Sequence, residues 1–158
     1  MTLTTANDTA VLRALGAHDL DDLLALYAEL HPSDPHVPRE KLQSTFARML
    51  ATPSLVQLGV FVDGTLVSTA QMVLVDNLTR GARPYAIIEN VGTLHAHKRR
   101  GYGALCIRAL VERAWQEDCY KVSLTSGVSR AGEAHLFYEA LGFDRHAKQA
   151  FVLTRPTE

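Results

Sequence analysis

Two cysteines, Cys106 and Cys119, stand in 158 residues, too few for a framework of disulfides. Their spacing fits no structural zinc pattern, so they read as buried free thiols in a reducing, cytoplasmic setting. Excess charge of either sign is also missing. Sixteen Lys plus Arg against seventeen Asp plus Glu leave a net charge of −1, which supplies no overall field to draw in nucleic acid or a membrane surface. No apolar run approaches the roughly 18 residues of a membrane-spanning helix. There is no internal repeat, no low-complexity tract, no Gly-x-Ser-x-Gly elbow and no context for a cysteine nucleophile. Met1 to Thr9 is polar, lacks the basic-then-apolar layout of a secretory signal, and is expected as a short flexible leader. What remains is ordinary globular material, 47 % hydrophobic and 21 % charged, sized for one packed domain over residues 1–158.

Hydrophobic periodicity orders the chain. Ala10 to Leu15 is a short apolar run expected as a first strand. Leu20, Leu23, Leu24, Tyr27 and Leu30 then follow a helical repeat, with Asp19 placed to cap it. Pro32, Pro35 and Pro38 break the chain, and a second amphipathic helix carries Leu42, Phe46, Met49 and Leu50 up to Pro53. Leu55 to Val62 and Thr65 to Val75 flank Asp63-Gly64, a strong hairpin signal. After a polar loop, Asn77 to Pro84, a strand is expected from Tyr85 to about Leu94, with Gly92 marking a bulge. A long helix should run from the glycine-bearing turn at residues 99–103 to about Asp118, burying Leu105, Ala109, Leu110, Ala114 and Trp115. A strand at Tyr120 to Leu124, a helix from Ala131 to Leu141 stopped by Gly142, and a last strand at Lys148 to Thr154 complete the order β-α-α-β-β-β-α-β-α-β. Hairpins followed by a β-α-β crossover imply a mixed α/β sheet.

The most informative stretch is the strand-turn-helix at residues 88–104. Backbone N–H groups in a first helical turn lack intrahelical partners, and the helix dipole adds partial positive charge there. Gly101 and Gly103 allow close approach of a bulky anion, and Lys98, Arg99 and Arg100 add three full charges. Together these parts suit a phosphate or pyrophosphate. The P-loop pattern is absent, and the third glycine of a dinucleotide fingerprint is replaced by Cys106. A tight turn with a solvated basic face is the other reading. His95 and His97 share a face if the strand continues through them, but no third ligand accompanies them and no metal is expected.

Lys98-Arg-Arg-Gly101-Tyr-Gly103-Ala104, following a strand and opening a helix, resembles the acetyl-CoA signature of the GNAT N-acetyltransferase superfamily. A second block, Ala134-His-Leu-Phe-Tyr138-Glu-Ala-Leu-Gly142-Phe143, resembles that family's C-terminal segment, and the separation of the blocks and the order of elements agree. The resemblance implies the acyl-CoA N-acyltransferase fold, an α+β arrangement with a mostly antiparallel central sheet flanked by helices. It implies acetyl-CoA as cosubstrate, a small-molecule amine as acceptor, and often a homodimer. Two departures stand out. Lys98 replaces the family's usual Gln or Arg, and Ala131 replaces an Asn seven residues before the tyrosine, leaving Ser129 or Arg130 as the substitute contact.

In that family an amine attacks the acetyl group directly, so one proton must leave the amine and one must reach the departing thiolate. Glu89, the only acidic residue on its strand, is read as the general base acting through water, against a structural carboxylate at the bulge. Tyr138 is read as the general acid, against a core tyrosine with a satisfied hydroxyl. The resemblance gives a backbone N–H near Val91 to Leu94 to the developing oxyanion and has Val91, Gly92 and Thr93 pair with pantetheine as an added strand. Lys98, Arg99, Arg100, Gly101, Tyr102, Gly103, Ala104 and Arg130 complete the cofactor set.

A narrower likeness is to glucosamine-6-phosphate N-acetyltransferases, carried by Ile88-Glu-Asn-Val91, Gly101 to Gly103, Cys119 to Val122, Phe137 to Glu139 and Gly142-Phe143. Two acidic residues of that group, at positions expected near substrate, are here Asn90 and Thr125. The loops His31 to Arg39 and Asn77 to Pro84 are expected to wall the acceptor site, where Arg80 and Arg83 either hold an anionic group or are solvated. Acetylation of a protein N-terminus or lysine, and a non-catalytic acyl-CoA sensor, are the alternative activities. A nucleic-acid binder built on residues 98–100 would need more basic surface than the chain has.

Overall fold

A computed structural model describes residues 2–5, 8–130 and 132–156. Six strands form one sheet in the order of the chain, β1 (Thr2–Thr5), β2 (Asp8–Ala14), β3 (Leu55–Val62), β4 (Thr65–Val75), β5 (Tyr85–Thr93) and β6 (Val122–Leu124). All neighbours are antiparallel except β5 and β6, which run parallel as a helical crossover requires. The β3–β4 hairpin is the clearest case of sequence writing structure. Asp63 and Gly64 both have positive φ, 49° and 83°, the handedness that matches strand twist in a two-residue turn.

Helices cover both faces. On one lie α1 (Leu20–Leu30) and α2 (Arg39–Leu50). Leu20, Leu23, Leu26 and Phe46 meet Leu15, Phe61 and Leu66 of the sheet side. On the other lies α4 (Tyr102–Gln116), whose stripe of Tyr102, Cys106, Ile107, Leu110 and Ala114 packs on Val60, Ala70, Met72, Ala86 and Ile88. Strand β4 is buried on both faces from Leu66 through Ala70, which explains its nearly continuous apolar and small-residue run. A single irregular turn, α3 (Thr79–Ala82), interrupts the β4–β5 loop, and α5 (Glu133–Ala140) follows β6. Gly142 has φ 92°, and the carbonyl of Glu139 accepts its N–H at 2.9 Å, the expected helix stop.

Five expectations are corrected. Thr2–Thr5, within the stretch read as a leader, pairs with β2 as an edge strand; a threonine-rich segment has the propensity to do so. Asp19 stands at the start of α1 but makes no side-chain cap. Its carboxylate takes Arg13 at 2.7 and 2.8 Å and the Gly16 N–H at 2.7 Å, since a buried anion does better with a guanidinium than with an amide alone. Trp115 is half exposed, because α4 turns its stripe toward Leu110 and Ala114. The bulge in β5 falls at Asn90 and Val91, two residues facing the single Ala70 between the Thr69–Gly92 and Gln71–Glu89 pairs. Residues 148–154 form no strand, because no neighbouring strand is beside them to complete a ladder. The cysteines are free and buried; desolvation raises both thiols, Cys106 to about 12, far from a reactive thiolate. Among the described residues no helix is long and apolar enough to cross a membrane.

Candidate active site

The parallel ladder between β5 and β6 has three pairs and ends at Ile88–Leu124. Strand β5 continues five residues further, to Thr93, without β6 beside it. This stretch, Glu89 to Thr93, is the open edge on which the candidate residues lie. Glu89 is exposed and sits opposite Gln71 of β4. Asn90 takes the left-handed conformation, φ 51°, and its amide donates to the Gln71 side-chain oxygen at 3.1 Å. The bulge leaves Asn90 and Val91 without register partners of their own in β4. Their backbone is thereby turned out of the regular ladder, which is the requirement for donating to something other than protein.

Past the bulge the strand is tied down again. Gly92 is buried, and its carbonyl accepts the Ser68 hydroxyl at 3.0 Å; the Ser68 and Thr93 hydroxyls are 2.8 Å apart. A Cβ on Gly92 would lie 2.1 Å from Leu30 Cδ1, so the glycine is what lets α1 seat against β5. Leu94 donates to the Val67 carbonyl at 2.9 Å. His95–His97 then forms a 3-10 turn, not a strand extension, so the two imidazoles do not share a strand face. Both the backbone N–H and Nδ1 of His95 lie 2.5 Å from one oxygen of Glu29 in the last turn of α1. Those contacts hold the Glu29 carboxyl below the usual carboxylate range. Among the described residues no cluster of three metal-ligating groups occurs.

The turn into α4 has the parts an anion cradle needs. Arg99 has φ 60° and Gly101, at the N-cap, φ 84°. A Cβ on Gly101 would meet nothing within 4 Å, so the space above the helix start is open. No side chain caps α4, and its first N–H groups face that space with the dipole behind them. Lys98, Arg99 and Arg100 are all exposed around it. Tyr102 is buried beneath, its ring 6.2 Å from that of His97. Gly103 marks a crowded crossing, where a Cβ would stand 3.3 Å from Thr93 Oγ1 and 3.5 Å from Phe137 Cζ. Ala104 is half buried on the same turn. The residues present thus fit a pyrophosphate-bearing cofactor at this turn, which the open β5 edge leads into.

Tyr138 comes from α5. Its ring is wedged between Phe137, at 5.1 Å, and Phe143, at 6.3 Å, and packs on the α4-side core. The Phe137 contact with the Gly103 position brings this helix to the same turn as the cradle. Thr125 is exposed just past the end of β6, across the opening from Glu89. Ala131 and the side chain of Arg130 lie outside the described residues. Arg83 is engaged with Asp118, Nη2 to Oδ1 at 3.0 Å, and so ties the Asn77–Pro84 loop to the end of α4. Gln71, Ser68 and Glu29 were not legible as site-supporting residues. Each acts across elements distant in sequence, and only the register brings them together. A cavity of about 490 Å³ lined by Leu12, Met49, Val56 and Arg113 shares no residue with this site.

The family model described as acetyltransferase (GNAT) family matches residues 20–143. Among solved structures, a protein of Agrobacterium tumefaciens str. C58, provisionally named an acetyltransferase, is 44 % identical with a TM-score of 0.87, over 92 % of this chain and 99 % of that one. A Trypanosoma brucei acetyltransferase is 28 % identical with a TM-score of 0.77 over the same shares. A glucosamine 6-phosphate N-acetyltransferase of Trypanosoma brucei brucei is 34 % identical over 86 residues, which span 54 % of this chain and 56 % of that protein.

Proposed function

This chain belongs to the acetyltransferase (GNAT) family, and from that premise we propose that it transfers acetyl from acetyl-CoA to a primary amine of a small-molecule acceptor. One observation carries the reading: the β5 edge freed of β6 after Ile88 leads straight into an uncapped, left-handed, cationic helix start. When bound, acetyl-CoA supplies a thioester, an acyl group activated toward amines. The protein's part is to hold and to move protons. Residues Lys98 to Ala104 bind the pyrophosphate by backbone N–H groups and charge. Val91 to Thr93 pair with the pantetheine arm in the manner of an added strand, and a backbone N–H at the bulge donates to the acetyl oxygen.

Glu89 takes the proton of the incoming ammonium through water, and Tyr138 returns one to the leaving sulfur. Asn90 and Thr125, at the mouth of the β5–β6 opening, face the acceptor. Their neutral side chains suit hydroxyl or amide groups on it. Glucosamine 6-phosphate belongs in the first rank of acceptors to try, on the printed activity of the 34 % identical relative. The test is release of free CoA thiol from acetyl-CoA in the presence of a panel of amino sugars, polyamines, amino acids and peptide N-termini. Amine-dependent thiol release with a small amine supports the reading. Release only with peptides makes the chain a protein acetyltransferase, and tight acetyl-CoA binding without turnover makes it a sensor.

A further inference from the structure

Asn90 stands in a backbone conformation that needs support. Its φ of 51° lies in the left-handed region, which is unfavourable for side chains beyond glycine, although asparagine visits it more readily than most. The planar peptide that follows carries the Val91 N–H, so the dihedrals at Asn90 decide where that donor points. A side chain from the neighbouring strand braces the turn. Gln71 of β4 accepts the Asn90 side-chain amide on Oε1 at 3.1 Å. Gln71 is also the centre of a polar row across three strands. It stands opposite Gln57 of β3 and opposite Glu89 of β5, and directly opposed residues share a face. Gln57 is 4 % exposed and already committed. Its Nε2 donates to Thr69 Oγ1 at 2.8 Å, and the Thr69 hydroxyl donates to the Leu58 carbonyl at 2.7 Å. Half-buried Gln71 thus has a fixed neighbour on one side and the bulge on the other.

We propose that Gln71 is a positioning residue for acetyl transfer: by holding the Asn90 side chain it keeps Asn90 left-handed and so aims the Val91 N–H at the acetyl oxygen. This rests on the acetyl-transfer reading of the site and adds the group that sets the donor's direction. An oxyanion donor is effective when it is in place before the charge develops. Ladder pairing does that elsewhere in a sheet, but Asn90 and Val91 have no register partners of their own in β4. The Gln71–Asn90 bond supplies the missing restraint. It is exposed, and a single hydrogen bond of this kind adds little to global stability. Its loss therefore belongs in the rate and not in the melting temperature. Backbone conformation offers a second handle. Glycine adopts a left-handed φ unaided, so Asn90→Gly removes the need for a brace. Asn90→Ala keeps the need and loses the brace.

Gln71→Met keeps the length of the side chain and removes the acceptor. With amine and acetyl-CoA saturating, its kcat should fall about fivefold, with KM for acetyl-CoA within about twofold of the parent and Tm unchanged. The same change made on Asn90→Gly should lower kcat by less than about twofold, because the two sites are coupled through the bond that is already gone. Asn90→Gly should keep at least about threefold more kcat than Asn90→Ala. An undiminished kcat in Gln71→Met overturns the proposal, as does an equal loss in both backgrounds. Equal kcat in the glycine and alanine variants also overturns it, since that is what a plain contact between Asn90 and the acceptor gives. Should no amine support turnover, acetyl transfer itself fails, and nuclear magnetic resonance with acetyl-CoA as the probe decides the positioning. Acetyl-CoA should move the Val91 amide proton downfield in the parent chain, and less than about half as far in Gln71→Met. Equal displacement in the two proteins, or none in the parent, overturns the positioning as well.

Discussion

In the proposed mechanism Tyr138 and Glu89 carry opposite halves of the proton traffic, and their surroundings set what each substitution should do. The Tyr138 ring is held by Phe137 and Phe143, so Tyr138→Phe keeps the packing and removes only the hydroxyl. Its kcat should fall by about 10²-fold, the usual scale for one acid–base group, with KM for acetyl-CoA nearly unchanged. Glu89 is exposed on the open edge, and Glu89→Gln should abolish the acidic limb of the kcat/KM profile; a retained limb assigns Glu89 to structure. Asp19 gives a prediction independent of catalysis. It is 3 % exposed, and the Arg13 hydrogen bonds, opposed by desolvation and helped by the Gly16 N–H, bring its carboxyl down to about 2 from 3.8. A depressed folded-state value stabilises above the unfolded value and is lost as pH falls, here between about 4 and 2. Asp19→Asn should lower unfolding free energy near pH 7 by on the order of 2 kcal/mol, and the gap to the parent chain should close in that window. Denaturant melts at pH 7 and pH 2.5 measure it.

At the level of elements, legibility followed the range of the determining interaction. The Asp63-Gly64 hairpin, the end of α5 at Gly142 and the cationic helix start at Gly101 are local, set by a few consecutive residues and their allowed φ, and the sequence carried them. The bulge was legible only as a glycine in β5. Its place at Asn90 and Val91 depends on which β4 residue stands opposite, a pairing decided across the sheet. The strand expected at residues 148–154 did not form, because strand-forming composition alone does not supply the neighbouring edge a ladder needs. The Glu29 grip on His95 was invisible for the same reason, since it joins residues 66 apart. At Gly101 local and functional demands meet. With φ 84° and empty space above it, Gly101→Ala is strained without any clash and should cost about 1–2 kcal/mol. A β-carbon also projects into the path of an anion. KM for acetyl-CoA should therefore rise about tenfold or more, well beyond what a stability loss of that size does to a folded enzyme. Gly64→Ala, equally left-handed at φ 83° but in the distant hairpin, should show the stability loss alone.

The whole molecule is nearly neutral, with a net charge of −1, and this turns a local feature into a measurable one. A strongly basic protein attracts an anionic cofactor from every side, so the salt dependence of binding reports its total field. Here distant charges cancel and are screened beyond the roughly 10 Å Debye length at 0.1 M salt. Any salt dependence of acetyl-CoA binding must arise from Lys98, Arg99 and Arg100 around the start of α4. KM for acetyl-CoA should rise roughly threefold or more between 0.05 and 0.5 M salt, because exposed charge pairs weaken over that range. Replacing all three cations by alanine should raise KM at low salt and flatten its dependence on salt, while kcat at saturation stays within about twofold, since none of the three touches the reacting atoms. Replacing three exposed cations on the far side of the sheet, such as Arg39, Lys41 and Arg48 of α2, makes the same change in net charge. That variant should keep the parent salt profile; if it flattens equally, the anion is drawn by the field of the whole protein and not by the turn at residues 98–104.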